Sequence, residues 1–224
     1  MIYILRLKEN ESVLPEDIMH SLLSEQRMER AASFCRKSDG ISSALAYILL
    51  RMALYREYGI IKKPLFEFGE NKKPYLKDRR DIFFSLSHCA DAVMCAAGST
   101  EVGADIQDYN EKISGFSDMI LHHEEAEMIK SVSCPEREMI RLWSIKEAYG
   151  KYCGTGILYE LTDISFAGIT EGGWQRFRDA YIISLKLDYD AVSVCSGKPI
   201  TFCHISDSDI IKFSRNIQAA ERMI

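Results

Sequence analysis

The 224-residue chain lacks any apolar run approaching the ~18 residues that a membrane-crossing helix needs. Its N-terminus also lacks the basic, apolar and small-residue blocks of a secretory signal, and together these absences predict a cytoplasmic protein with no membrane partner. The seven cysteines are odd in number and none is spaced Cys-x-x-Cys, which argues against a disulfide framework and against a zinc site. No Pro-, Gly- or Ser-rich tract interrupts the chain, so two halves, if present, meet at a rigid interface rather than through a tether. What remains is an ordinary globular composition, 47% hydrophobic and 27% charged, with enough length for one large domain or two compact halves.

Charge is unevenly distributed. Residues 1–104 are nearly balanced, whereas residues 105–224 hold most of the acidic excess behind the net charge of −5. Within the first half Lys62, Lys63, Lys72, Lys73, Lys77, Arg79 and Arg80 outnumber the neighbouring acids, a patch suited to a polyanion. The acidic second half would repel a long phosphate backbone, so a small phosphorylated ligand fits better and no nucleic-acid partner is expected.

Three stretches carry chemistry. In Trp143-Ser-Ile-Lys-Glu147-Ala-Tyr-Gly-Lys151, helical geometry stacks Trp143, Glu147 and Lys151 on one face. In Val102-Gly-Ala-Asp105-Ile-Gln107, strand alternation points Asp105 and Gln107 the same way. Two oxygen donors on a strand and a carboxylate from a helix suit a hard cation such as Mg²⁺. Upstream lie the cationic turn Asn71-Lys-Lys73-Pro-Tyr75 and the strand Ile82-Phe-Phe-Ser-Leu-Ser87-His88. Adjacent strand residues point apart, so Ser87 and His88 read as ligand contacts and not as a catalytic dyad.

Taken in order, Lys-Lys-Pro, Leu-Ser-His, Val-Gly-Ala-Asp-Ile and Trp-Ser-Ile-Lys-Glu-Ala-Tyr-Gly-Lys resemble the 4′-phosphopantetheinyl transferases of the larger, single-chain Sfp type. These motifs span residues 71–151, and a weaker likeness over Glu25–Asp39 extends the resemblance to most of the chain. The resemblance implies an α+β fold with a pseudo-twofold arrangement of two similar halves, a monomeric pseudo-dimer split as residues 1–104 and 105–224. A hint of duplication agrees: Asp91-Ala-Val93 recurs as Asp190-Ala-Val192, and Gly98 as Gly197 at the same interval.

By the same resemblance the activity is transfer of 4′-phosphopantetheine from coenzyme A to a serine of an acyl or peptidyl carrier protein, with release of 3′,5′-ADP. Asp105, Gln107 and Glu147 would then hold Mg²⁺, and Lys151 would reach a pyrophosphate oxygen. Lys73, Ser87 and His88 would contact the CoA phosphates, with Arg30 and Lys37 adding charge. The base that takes the serine proton is Glu147, Glu125 or a water, Glu125 of Leu121-His-His-Glu-Glu125 matching a family acid. Gln107 departs from the second acid of many relatives, and the sequence reads Gly40-Ile-Ser-Ser43 where relatives often carry an arginine near Ser42. His122, His123 and Glu124 read as a solvated helix start, because consecutive helical residues diverge by about 100°. The segment Gly115-Phe-Ser-Asp-Met-Ile120 is a candidate carrier-protein contact. Two other readings stay open: a CoA or nucleotide binder without turnover, and a Mg²⁺-dependent phosphohydrolase.

Overall fold

The computed structural model describes residues 1–7, 14–69, 71–110, 117–156 and 162–223. Its first sheet has the order β10(Phe202–Ile205), β1(Ile2–Arg6), β5(Ala92–Gly98), β4(Phe83–His88), and its second the order β6(Val102–Asp108), β9(Asp190–Ser196), β8(Ala180–Leu187), β7(Gln175–Phe177). A two-stranded hairpin, β2(Phe66–Phe68) with β3(Pro74–Leu76), stands apart from both. The helices α1(Glu16–Leu22), α2(Glu25–Ala32) and α3(Lys37–Tyr58) precede it; α4(Ser117–Ile120), α5(His123–Ile129) and α6(Pro135–Cys153) fall between β6 and β7, and α7(Asp207–Glu221) ends the chain.

The sheets lie face to face between helices. Along β5, Val93, Cys95 and Ala97 join the core formed with α3, while Ala92, Met94 and Ala96 join Val102, Ala104, Ile106, Val192 and Val194 in a core between the sheets. Leu142, Ile145 and Tyr149 of α6 close a third core over Ile182 and Cys195. Both faces of β5 and β9 are therefore covered, which explains why β5 reads as a continuous small and apolar run and why β9 is buried at every position although it carries Asp190, Ser193 and Ser196.

The order β1-β5-β4 in the first sheet matches β6-β9-β8 in the second, and α3 covers one as α6 covers the other. The α+β architecture of two similar halves is thus visible in the topology. The recurring Asp-Ala-Val tripeptide does not mark equivalent positions, however. Val93 faces α3 while Val192 faces the other sheet, and the register pairs Leu5 with Val93 but Asp105 with Ser193. Nor is each half a single sequence segment. The boundary at 104/105 falls inside β6, and β10 and α7 return to the first half, β10 pairing in parallel with β1.

Where the two sheets adjoin, the edges β4 and β6 are joined by side chains. The hydroxyl of Ser85 accepts the Ala104 N–H at 3.0 Å and that of Ser87 accepts the Ile106 N–H at 3.4 Å. Two backbone donors on an edge strand are satisfied in this way without a ladder.

Candidate active site

Gly103 decides how closely α6 approaches β6. A Cβ there would lie 2.0 Å from the Ala148 carbonyl oxygen and 2.3 Å from the Tyr152 nitrogen, so the helix backbone rests directly on the glycine. Ser144 adds a bond from its hydroxyl to the Asp105 carbonyl at 3.3 Å. Asp105, two residues along the same strand face, consequently meets the helix side that carries Glu147 and Lys151. On α6 residues 143, 147 and 151 stay half-exposed while 144–146 and 148–150 are buried, the column that the helical spacing predicts.

Asp105 is almost fully buried and heavily bonded. One of its oxygens, Oδ1, accepts from Lys151 Nζ at 2.6 Å and from the Ser87 hydroxyl at 2.8 Å, while Oδ2 accepts from the Gln107 amide at 2.8 Å. Glu147 is different: its buried Oε1 has no hydrogen-bond partner among the described residues. Burial, reinforced by the neighbouring Asp105 carboxylate and opposed by Lys151, pushes its carboxyl up to about 7. Two carboxylates neighbour one lysine, and one of them keeps a buried oxygen without a partner among the described residues. Rotation of the Gln107 amide supplies a third oxygen, giving an all-oxygen donor set that fits Mg²⁺.

Lys151 links this pair to a cleft of about 780 Å³. Its cationic lining comprises Arg27, Arg30, Lys72, Lys73 and Lys151, joined by the imidazole of His88, and its aromatic lining Phe34, Phe66, Phe68 and Phe84. Lys73 reaches it from the residue before β3, with Nζ 2.5 Å from Glu101 and 3.0 Å from the Tyr152 carbonyl oxygen. Burial holds the His88 imidazole below its usual range, leaving it neutral at pH 7 with one N–H to donate.

Sequence reasoning passed over Arg27. This residue bonds the Ser43 carbonyl at 2.9 Å and the Ser43 hydroxyl at 3.1 Å, and its Nε is buried without a partner among the described residues. Its spacing of three from Arg30 on α2, which puts both on one helix side, was the available signal.

Three expected site residues lie elsewhere. Glu125 is fully buried at the start of α5, where Oε1 accepts the Phe166 N–H at 2.7 Å and Oε2 accepts the His122 N–H at 2.8 Å. It also pairs with the buried Lys146 at 2.9 Å, so three donors hold its two oxygens in a structural role at the start of α5, and it does not line the cleft. Ser87 does not line the cleft; strand alternation turns it toward β6, where it orients Asp105, while His88 turns into the cleft. Lys37 is exposed at the first position of α3 and also misses the cleft wall.

His122, His123 and Glu124 were expected to diverge, yet their ligand atoms gather within 4.8 Å, because His122 is the cap outside the helix and not part of its spiral. In the proposed carrier contact, residues 115–116 lie outside the described residues; Met119 is exposed and Ile120 buried.

A sequence profile described as the 4′-phosphopantetheinyl transferase superfamily matches residues 101–203, the segment that carries Asp105, Gln107, Glu147 and Lys151. A protein of Bacillus subtilis named 4′-phosphopantetheinyl transferase is 25% identical over 207 residues, 84% of this chain and 88% of its own. One of the same name from Bacillus pumilus is 26% identical, with 82% of each chain covered. An L-aminoadipate-semialdehyde dehydrogenase-phosphopantetheinyl transferase of Eremothecium gossypii is 35% identical over 43% of this chain and 38% of its own.

Proposed function

We propose that the chain is a 4′-phosphopantetheinyl transferase, moving 4′-phosphopantetheine from coenzyme A to a serine of an acyl or peptidyl carrier protein and releasing 3′,5′-ADP, a reading supported by its similarity to proteins of that name. The observation that carries this reading is a cationic, aromatic-walled cleft joined by Lys151 to a buried carboxylate pair. Such a site suits a polyphosphorylated nucleotide with a bond to be broken at its pyrophosphate end.

Asp105 and Glu147, with the Gln107 oxygen, would hold Mg²⁺, which when bound neutralises charge on the pyrophosphate oxygens. Ser87 fixes the orientation of Asp105. Arg27, Arg30, Lys73 and His88 hold the phosphates of CoA against the cleft wall, and Lys151 donates to a pyrophosphate oxygen whose charge changes as the bond breaks. The carrier serine oxygen attacks the β-phosphorus, the phosphorus–oxygen bond to 3′,5′-ADP breaks, and the serine proton passes to Glu147.

Mass spectrometry of an apo carrier protein incubated with the enzyme, CoA and Mg²⁺ tests the proposal. A gain of the phosphopantetheine mass is the expected result. Release of 3′,5′-ADP without carrier labelling would show a phosphohydrolase, and CoA binding with no chemistry a binding protein; either would overturn the assignment. In keeping with the proposal, the protein acts as a cytoplasmic monomer, and among the described residues no helix is long and apolar enough to cross a membrane.

A further inference from the structure

Glu101 is not a wall of the cleft, yet its carboxylate holds the ammonium of a residue that is. We propose that Glu101 is an internal counter-ion for Lys73, surrendering it when the anionic co-substrate binds, and so sets the affinity of the cleft for that anion. The inference rests on the CoA reading given above and adds to it a residue that governs how tightly CoA is held.

The two partners differ in what separation costs them. Lys73 has only 11% of its side chain exposed, and its stem crosses the end of α6, where a Cβ on Gly154 would come within 3.2 Å of the lysine Cδ. Its ammonium makes two bonds, to Glu101 at 2.5 Å and to the Tyr152 carbonyl oxygen at 3.0 Å, and its third N–H has no partner among the described residues. Lys73 is therefore held in place with or without the glutamate, because the carbonyl at the negative end of α6 keeps it.

Glu101 is 39% exposed and immediately precedes β6. Its backbone is fixed by the Gly197 N–H, which bonds its carbonyl at 3.2 Å, but its side chain reaches solvent. Releasing a solvent-accessible carboxylate costs little, since water rehydrates it while the arriving anion takes its place on the ammonium. An arriving phosphate thus meets a lysine whose geometry is already set but whose charge is partly cancelled. The carboxylate lowers affinity both by occupying the ammonium and by repelling the phosphate.

Calorimetric titration of CoA into the wild type, Glu101→Gln, Lys73→Met and the double variant tests this. Glu101→Gln should bind CoA about fivefold more tightly, the size expected for removing one partly solvated like charge. In the Lys73→Met background the same substitution should lose most of that gain, because the residue acts through the lysine. Damage to the local structure would weaken binding, so a gain separates the two causes. Weaker or unchanged binding by Glu101→Gln, or an equal gain with Lys73 absent, overturns the counter-ion role while leaving the transferase assignment intact. Absence of CoA binding by both the wild type and Glu101→Gln would instead overturn the assignment, and this inference with it.

Discussion

Strands β1 and β6 occupy corresponding places in their sheets, yet the residues they turn toward their helices are opposite in kind. β1 offers Tyr3 and Leu5, both part of the core under α3; β6 offers Gly103 and Asp105, a point of backbone contact and a buried charge under α6. The helices differ in the same sense. α3 is buried almost all round from Ser42 to Leu54, whereas α6 keeps a half-exposed column at 143, 147 and 151. One scaffold serves as a packed support in the first half and presents charged groups in the second. Core residues in the first half make that difference affordable, since the charged site sits against a sheet already anchored elsewhere.

Making the second half more like the first at its reactive position gives the largest expected effect. Asp105→Leu places at 105 the side chain found at position 5 and should reduce carrier labelling by about a thousandfold, the upper end for losing one transition-state charge contact. The thermal midpoint should fall only modestly, because Lys151, 31% exposed, can reach water, while the Ser87 hydroxyl and the Gln107 amide lose their acceptor. Labelling at near the wild-type rate would show that Asp105 is no part of the site.

A second comparison concerns the cation that each helix buries on its covered side. Arg51 of α3 is bonded to the backbone carbonyls of Leu22 and Ile61 at 2.8 and 2.9 Å and meets only the half-exposed carboxylate of Glu221, at 3.5 Å, whereas Lys146 of α6 bonds the Ile164 carbonyl at 2.8 Å and pairs with the fully buried carboxylate of Glu125 at 2.9 Å. Glu125→Gln should therefore destabilise the fold by about 3 kcal/mol, since it removes a buried negative charge that faces a buried ammonium. Turnover per folded molecule should be unchanged. Chemical denaturation paired with active-site titration checks both, and a loss of turnover at full folding would restore Glu125 as a base.

The smallest effect falls on the close contact itself. Gly103→Ala forces a methyl group into the backbone of α6 and should cost about 2 kcal/mol by overpacking. Tyr3→Ala, at the matching position of the first half, should cost stability by the opposite route, through a cavity. If Gly103→Ala leaves the denaturation midpoint unmoved, α6 does not rest on β6 as described.

Much of this site was legible in advance. A period of two along 102–107 put Asp105 and Gln107 on one side of a strand, and a period near 3.6 along 143–151 put Glu147 and Lys151 on one side of a helix. The paired lysines before Pro74 and the Leu-Ser-His strand end pointed to the cleft. Less legible were Ser87 and Glu125, whose residue types allow either ligand contact or internal hydrogen bonding. Only their neighbours distinguish the two: β6 for Ser87, Lys146 and the Phe166 N–H for Glu125.

Sequence alone determined the local facts: which segments are strands and helices, which side chains share a face, and that acidic and cationic groups occur at spacings suited to a metal and a phosphate. Those follow from backbone periodicity, which acts over a few residues. The tertiary structure decided what meets what. It laid α6 on Gly103 so that a carboxylate from 147 joined one from 105, enclosed Glu125 with Lys146, and carried residues 202–221 back to the first sheet. Such pairings depend on close packing between segments far apart in the chain, and no local pattern encodes the distance between them.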